Sequence, residues 1–249
     1  MAPPPHRNPA FPARRFLAGP AGRLIELARA FGIFGEFLHG SRALHFIGPC
    51  VSVFGSARFP AGHPWYEMGH ALGGALADRG VTVVTGGGPG LRQAANRGAH
   101  EAGGCSIGCN ITLPREQQPN PYLNLMVEFS HFFVRKVMLV KYLSFFIGLP
   151  GGLGTVDEIF ETLTLIQTQK MQPFPVVLMG TDYWAPLLDW LRGPMVQEGM
   201  VSKHELGLVQ VTDDPGEAAR WAFEGIGALP TRRLRPLRWL GEQTPGRIR

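Results

Sequence analysis

Cysteine is scarce in this chain of 249 residues: Cys50, Cys105 and Cys109 are the whole set. Three is too few and too odd a number for a disulfide framework, and no Cys-x-x-Cys or His-x-x-x-His partner set completes a zinc site. A reducing, cytoplasmic setting without a metal or other cofactor is the simplest expectation. Long apolar runs are missing too. The most apolar one, Met138 to Leu149, is short and carries Lys141; the N-terminus has prolines where an export signal needs an apolar stretch. Neither a membrane anchor nor a secretory leader is expected. Two nucleotide-binding fingerprints also fail. Reading from Gly86 or Gly88 gives no G-x-G-x-x-G, and no Gly-Lys pair exists to make a Walker A loop. A dinucleotide oxidoreductase and a P-loop NTPase are both demoted.

Charge is sparse in the middle and concentrated at the ends. The net formal charge of +5 divides into +4 over residues 1–42, −4 over 43–229 and +5 over 230–249. A basic balance ordinarily points to polyanions, but here that inference reaches only the ends. Those ends have few aromatics to stack bases and no recognised docking motif, so no specific nucleic-acid partner is expected.

An apolar fraction of 45% is ample for a core. Residues 1–20, with six prolines, read as a flexible leader. An amphipathic helix follows within 21–42, carrying Leu24, Leu27, Ala28, Phe31, Phe34, Phe37 and Leu38 at near-helical spacing; it is expected to pack on the main domain or on a second subunit. Residues 43–229 form the main domain, and 230–249 a basic tail. From Cys50 onward, short β-branched runs alternate with helical patterns, the signature of a parallel sheet covered by helices. Strands are predicted at 50–55, 81–85, 106–110, 125–129, 145–149, 176–179 and 207–211. Helices are predicted at 65–79, 91–102, 132–142, 155–169 and 184–198, with a last one opening near Asp213-Asp214-Pro215. The fold class is therefore α/β, a single Rossmann-like domain with an open parallel sheet and helices on both faces.

Ligands in such sheets collect beyond the carboxyl ends of the strands, where four segments stand out. The first strand runs into Gly55-Ser56-Ala57-Arg58, a turn of small residues with a hydroxyl and a guanidinium, equally compatible with a plain turn. The second ends in Gly86-Gly87-Gly88-Pro89-Gly90 and opens a helix, so free amides there can face an anion. Gly104-Cys105-Ser106-Ile107-Gly108 matches G-x-S-x-G, yet Ser106 starts a strand instead of ending one, which removes it as a nucleophile elbow. The strongest signal is Pro150-Gly151-Gly152-Leu153-Gly154-Thr155-Val156-Asp157-Glu158. Its three glycines clear the way to backbone amides at a helix start, Thr155 offers a cap and a hydroxyl, and two carboxylates lie within a turn. Thr155-x-x-Glu158 also fits a capping box, a purely structural role. Arg135 and Lys136 are adjacent charges in the apolar stretch that follows the fourth strand, with snorkelling as their ordinary alternative. Glu116 sits on the loop after the third strand.

Together these residues resemble the LONELY GUY family, the phosphoribohydrolases once labelled possible lysine decarboxylases. Its P-G-G-x-G-T-x-x-E motif is present in full at Pro150 to Glu158. Its R-K-x-x-M element is represented by Arg135, Lys136 and Met138 with one residue fewer before the Met. The Met-His that usually precedes it is replaced by Phe132-Phe133. The likeness spans roughly Val51 to Val211. It implies a Rossmann-like homodimer that hydrolyses the N-glycosidic bond of a nucleoside 5′-monophosphate, AMP or a cytokinin riboside 5′-monophosphate, to free base and ribose 5-phosphate. Glu158 and Arg135 are the catalytic candidates under that resemblance. Gly151, Gly152, Gly154, Thr155, Asp157, Lys136, Glu116, Ser56, Gly88 and Thr164 are the candidates for substrate binding. A protein of the same fold that holds a nucleotide without cleaving it, as a sensor or carrier, is the competing expectation.

Overall fold

The structure, a computed structural model, describes residue 16, residues 19–112 and residues 119–227. Most of the predicted leader, all of the predicted basic tail and Glu116 lie outside the described residues. Among the described residues, seven strands run parallel in one sheet: β1 (Cys50–Phe54), β2 (Thr82–Thr85), β3 (Ser106–Ile111), β4 (Leu125–Phe129), β5 (Phe145–Gly148), β6 (Val176–Met179) and β7 (Val209–Thr212). Their spatial order is β4-β3-β2-β1-β5-β6-β7. The chain builds outward from β1 to β4, then returns to lay β5 beside β1, pairing Val51 with Phe145 and Phe54 with Gly148. That reversal is the topological switch point, where the loops after β1 and β5 diverge and open a crevice. Both faces of the central strands are covered, so β1, β2, β3, β5 and β6 are buried along their whole length. This is why none of them carries a charged residue, and why β5 and β6 are apolar throughout instead of alternating.

The helices are α1 (Arg23–Leu44), α2 (Pro64–Ala77), α3 (Leu91–Glu101), α4 (Phe132–Tyr142), α5 (Leu153–Gln167), α6 (Thr181–Trp190), α7 (Lys203–Leu206) and α8 (Pro215–Gly227). Helix α1 runs past the expected division at 42/43, so that boundary falls inside a helix. The predicted helix at 184–198 starts earlier, at Thr181, and gives way to a π-helical turn, Leu191–Met195, that contains Pro194. A proline lacks the N–H that the regular ladder needs. Helix α7 was not predicted, although its Ser202-x-x-Glu205 capping box is visible in the sequence.

Helices α2 and α3 cross with their backbones in contact. A Cβ on Gly73 would overlap the carbonyl of Ala95, and one on Gly98 the carbonyl of His70. Even a methyl group overfills this crossing. Gly98→Ala is expected to cost on the order of 1–3 kcal/mol, read in a thermal melt as a Tm several degrees lower; an unchanged Tm would show that the helices can separate freely.

Candidate active site

Three strand ends are tied together at the switch point. The amide of Ser56 donates to the carbonyl of Pro150 at 3.0 Å, and the amide of Leu91 donates to the carbonyl of Ser56 at 2.9 Å. Gly90 takes a φ of +74°, and a Cβ there would stand 2.5 Å from the carbonyl oxygen of Ser56, so the start of α3 abuts the turn after β1 directly. The glycine loop behind it is fixed by a buried polar network. Thr85 donates to Asn96 Oδ1 at 2.6 Å, Asn96 Nδ2 donates to Ser106 Oγ at 2.8 Å, and Asn120 Nδ2 donates to Asn96 Oδ1 at 3.0 Å. Asn120 reaches the carbonyl of Gly87 as well, at 3.1 Å. Ser106 is thus a buried structural hydroxyl.

These elements surround an open cavity of about 810 Å³, lined by Gly55, Ser56, Arg58, Arg92, Asn110, Arg135, Gly151, Gly152, Gly154, Thr155 and Glu158, with Phe59, Phe132 and Tyr183 among its apolar walls. One side is the start of α5. The helix opens at Leu153, two residues before the predicted start, with Gly152 as its N-cap, so Thr155 is the third residue of the helix and not its cap. The capping box with Glu158 therefore does not form. Thr155 instead fills the space above Gly151, where a Cβ would collide with its hydroxyl. Tyr183 donates its hydroxyl to the carbonyl of Gly151 at 2.7 Å, which steadies the turn. Gly152, Leu153 and Gly154 are exposed, and first-turn amides have no acceptor within their own helix. An anion placed there meets donors and the positive end of the helix dipole.

Opposite the cradle, Glu158 on α5 meets Arg135 on α4. Both side chains are buried, and Nη1 of Arg135 lies 3.4 Å from Oε1 of Glu158. Arg135 is held from behind by donation from Nε to the carbonyl of Cys109 at 2.8 Å. Burial pushes the Glu158 carboxyl up to about 7, outweighing the lowering influence of Arg135 and Lys136. The carboxyl therefore exchanges a proton near neutrality, the condition that suits acid–base chemistry.

Helix α4 is itself anchored by α1. Glu36 accepts from the amides of Ser130 and His131, each at 3.2 Å, and its other oxygen lies 3.0 Å from Nδ1 of His131. A carboxylate thereby caps the start of the helix that carries Arg135.

Glu158, Arg135, Gly151, Gly152, Gly154, Thr155 and Ser56 all lie in the cavity wall. Four other candidates lie elsewhere. Lys136 turns away to Asp157 at 2.9 Å and Glu161 at 3.0 Å; burial opposes its charge, but the two carboxylates prevail and hold the ammonium above its ordinary value. Asp157 is occupied in that pair on the outer side of α5. Thr164 is exposed and donates to the carbonyl of Phe160 at 2.7 Å. Gly88 is buried, its carbonyl directed at Asn120 Nδ2 3.5 Å away. Sequence reasoning missed Arg92, Asn110 and Tyr183. A single arginine one residue into a helix carries no spacing signal that separates it from a surface side chain.

Comparison with known proteins follows the same lines. Residues 93–221 match the model of a family described as possible lysine decarboxylase. A probable cytokinin riboside 5′-monophosphate phosphoribohydrolase of Oryza sativa subsp. japonica is 36% identical over 135 residues, 53% of this chain and 54% of that protein. A cytokinin riboside 5′-monophosphate phosphoribohydrolase of Mycobacterium tuberculosis is 32% identical over 162 residues, 62% of this chain and 83% of its own. The chain thus spans about half the length of the rice relative and most of the mycobacterial one. Among solved structures, the molybdenum cofactor carrier protein of Chlamydomonas reinhardtii superposes with a TM-score of 0.54 at 24% identity, over 72% of this chain and 98% of that one. A molybdenum cofactor binding protein of Rippkaea orientalis gives 0.52 at 20% identity, over 69% and 93%. These two share the fold.

Proposed function

The chain belongs to the LONELY GUY family, whose model is described as possible lysine decarboxylase, and on that premise we propose that it hydrolyses the N-glycosidic bond of a nucleoside 5′-monophosphate. The observation that carries this reading is the buried meeting of Glu158 and Arg135 across a cavity from an open glycine cradle. The 5′-phosphate sits on the amides of Gly152, Leu153 and Gly154, which directs the ribose toward Glu158. As the C1′–N bond breaks, its electron pair leaves with the base and positive charge develops on the sugar. The Glu158 carboxylate stabilises that charge and takes a proton from the water whose oxygen bonds to C1′, while the departing base nitrogen takes up a proton from solvent, so that the water's OH and one H are shared between sugar and base. Arg135 holds the carboxylate in place and favours its ionised form. The products are free base and ribose 5-phosphate, and AMP or an N6-substituted analogue is the substrate class assigned.

Incubation of the purified protein with AMP tests the reading: adenine and ribose 5-phosphate are expected in equal amounts. Binding of AMP with no release of adenine would instead identify a carrier. Because the carboxylate form of Glu158 is the active one, kcat/KM for AMP is expected to rise with pH, with an apparent pKa of about 7, and to level off above it. A profile that is flat from pH 5 to 9, or that falls through 7, would remove Glu158 from the base role.

A homodimer is part of the same proposal. Leu24, Leu27, Phe31, Phe34 and Leu38 repeat at alternating spacings of three and four, the pattern of a coiled-coil seam, and all five are exposed on α1. The other side of the helix packs inward through Gly40 and Leu44. The double substitution Phe31→Glu with Phe34→Glu is expected to convert the dimer to a monomer in light scattering; a monomeric unsubstituted protein would dismiss the assignment. Cytoplasmic residence is assigned on the three free thiols, which fit a reducing compartment. No helix among the described residues is long and apolar enough to cross a membrane.

A further inference from the structure

Among the described residues, the cavity is lined by three guanidinium groups, Arg58, Arg92 and Arg135, and by a single carboxylate, Glu158. Arg135 is satisfied by Glu158 and the carbonyl of Cys109. Arg92 is not: among the described residues it has no hydrogen-bond or ion-pair partner, and its Nε is shut off from solvent. Its two Nη groups stand at the cavity wall, so an anion there would pair a guanidinium whose Nε has neither water nor a protein acceptor. Arg92 also faces a like charge. A Cβ built on Gly86 would lie 2.9 Å from Nη1 of Arg92 and 3.2 Å from Nη2 of Arg135, so both tips converge over one small residue at the end of β2. Burial first, and the Arg135 charge second, hold the Arg92 guanidinium below its ordinary value. A neutral base edge would leave this repulsion standing, whereas a phosphate accepts from both forks at once.

From these contacts we propose that Arg92 and Arg135 form a subsite for a second phosphate group of the bound nucleotide, separate from the 5′-phosphate cradle. The inference rests on the 5′-phosphate occupying the Gly152–Gly154 amides. The cradle follows β5 and the arginine pair stands at the end of β2, with β1 between them. Two strand spacings amount to about 10 Å. The two phosphates of a 5′-diphosphate share a bridging oxygen and are too close together to reach both places. A phosphate on the far side of the ribose, at the 3′ or 2′ oxygen, extends in the required direction.

Calorimetry on full-length Glu158→Gln protein, which slows turnover, with AMP, ADP and adenosine 3′,5′-bisphosphate as probes tests the subsite. The bisphosphate is expected to bind about ten- to hundredfold more tightly than AMP, the range for charge-assisted hydrogen bonds, and ADP to gain less. Adding Arg92→Met should abolish the bisphosphate advantage, and Arg92→Lys should keep part of it. Equal affinity for AMP and bisphosphate, an ADP gain matching that of the bisphosphate, or an advantage that survives Arg92→Met would each overturn the proposal. Base release by the unsubstituted protein reports separately on the hydrolase reading. An affinity gain without any hydrolysis leaves the subsite standing and the hydrolase reading refuted.

Discussion

Glu158→Gln is expected to lower adenine release from AMP by about 10²- to 10⁴-fold, the contribution typical of one acid–base group, while the chain remains folded. The amide keeps the shape of the side chain and can still accept from Arg135, but it cannot take a proton or offset charge on the ribose. The folded state supplies a second readout. The Glu158 carboxyl is raised to about 7 by burial, above its unfolded value of 4.5, so the folded protein binds the proton more strongly than the unfolded chain. Its contribution to stability is complete below about pH 4.5 and is lost as pH rises toward and through 7. A glutamine at this position has no such loss. The variant is therefore expected to melt no lower than the unsubstituted protein at about pH 8, and relatively higher there than at about pH 4.5. Near-normal turnover would remove Glu158 from the reaction, and a collapsed melting curve would reassign it to structure.

Arg135→Met is expected to lower kcat by about 10²- to 10³-fold at pH 7, comparable to removing a preorganised donor from a buried charged site. Two effects combine. The guanidinium that faces the reacting region disappears, and Glu158 loses the nearest influence holding its carboxyl down. The carboxyl then rises further, so the ascending limb of the pH profile should move to higher pH. Part of the lost rate should return at about pH 9. Rate loss without movement of that limb would separate Arg135 from the ionisation of Glu158. Arg135→Lys restores a charge but not the fork that spans Cys109 and Glu158 at 2.8 and 3.4 Å, so it is expected to recover only a fraction.

The sheet was legible because its central strands are buried on both faces and therefore carry no charged residue; Phe145 to Gly148 and Val176 to Met179 are apolar throughout. Boundaries were less legible where backbone geometry took over. Gly152 begins α5 without a capping side chain, so Thr155, the residue that looks most like a cap, is displaced inward to pack over Gly151. In the site, Arg135 stood out as a charge in an apolar stretch, and Glu158 as a carboxylate within a turn of the glycine cradle. Their neighbours Asp157 and Lys136 carried the same signal in sequence. The helical rotation of about 100° per residue carries these two out of the cavity and into a pair with each other. Arg92 shows the opposite failure. Its role depends on Arg135, 43 positions further along the chain, and no local pattern records that approach.

The Asn96 network has a consequence for the thermodynamics of ligand capture. Thr85, Ser106 and Asn120 converge on that one amide, so the loop from Gly86 to Gly90 loses its conformational freedom when the chain folds, not when a nucleotide arrives. An incoming ligand is then spared the ordering entropy of that wall. Its binding enthalpy reports on direct contacts, and its affinity is set by the preorganised amides and guanidiniums themselves.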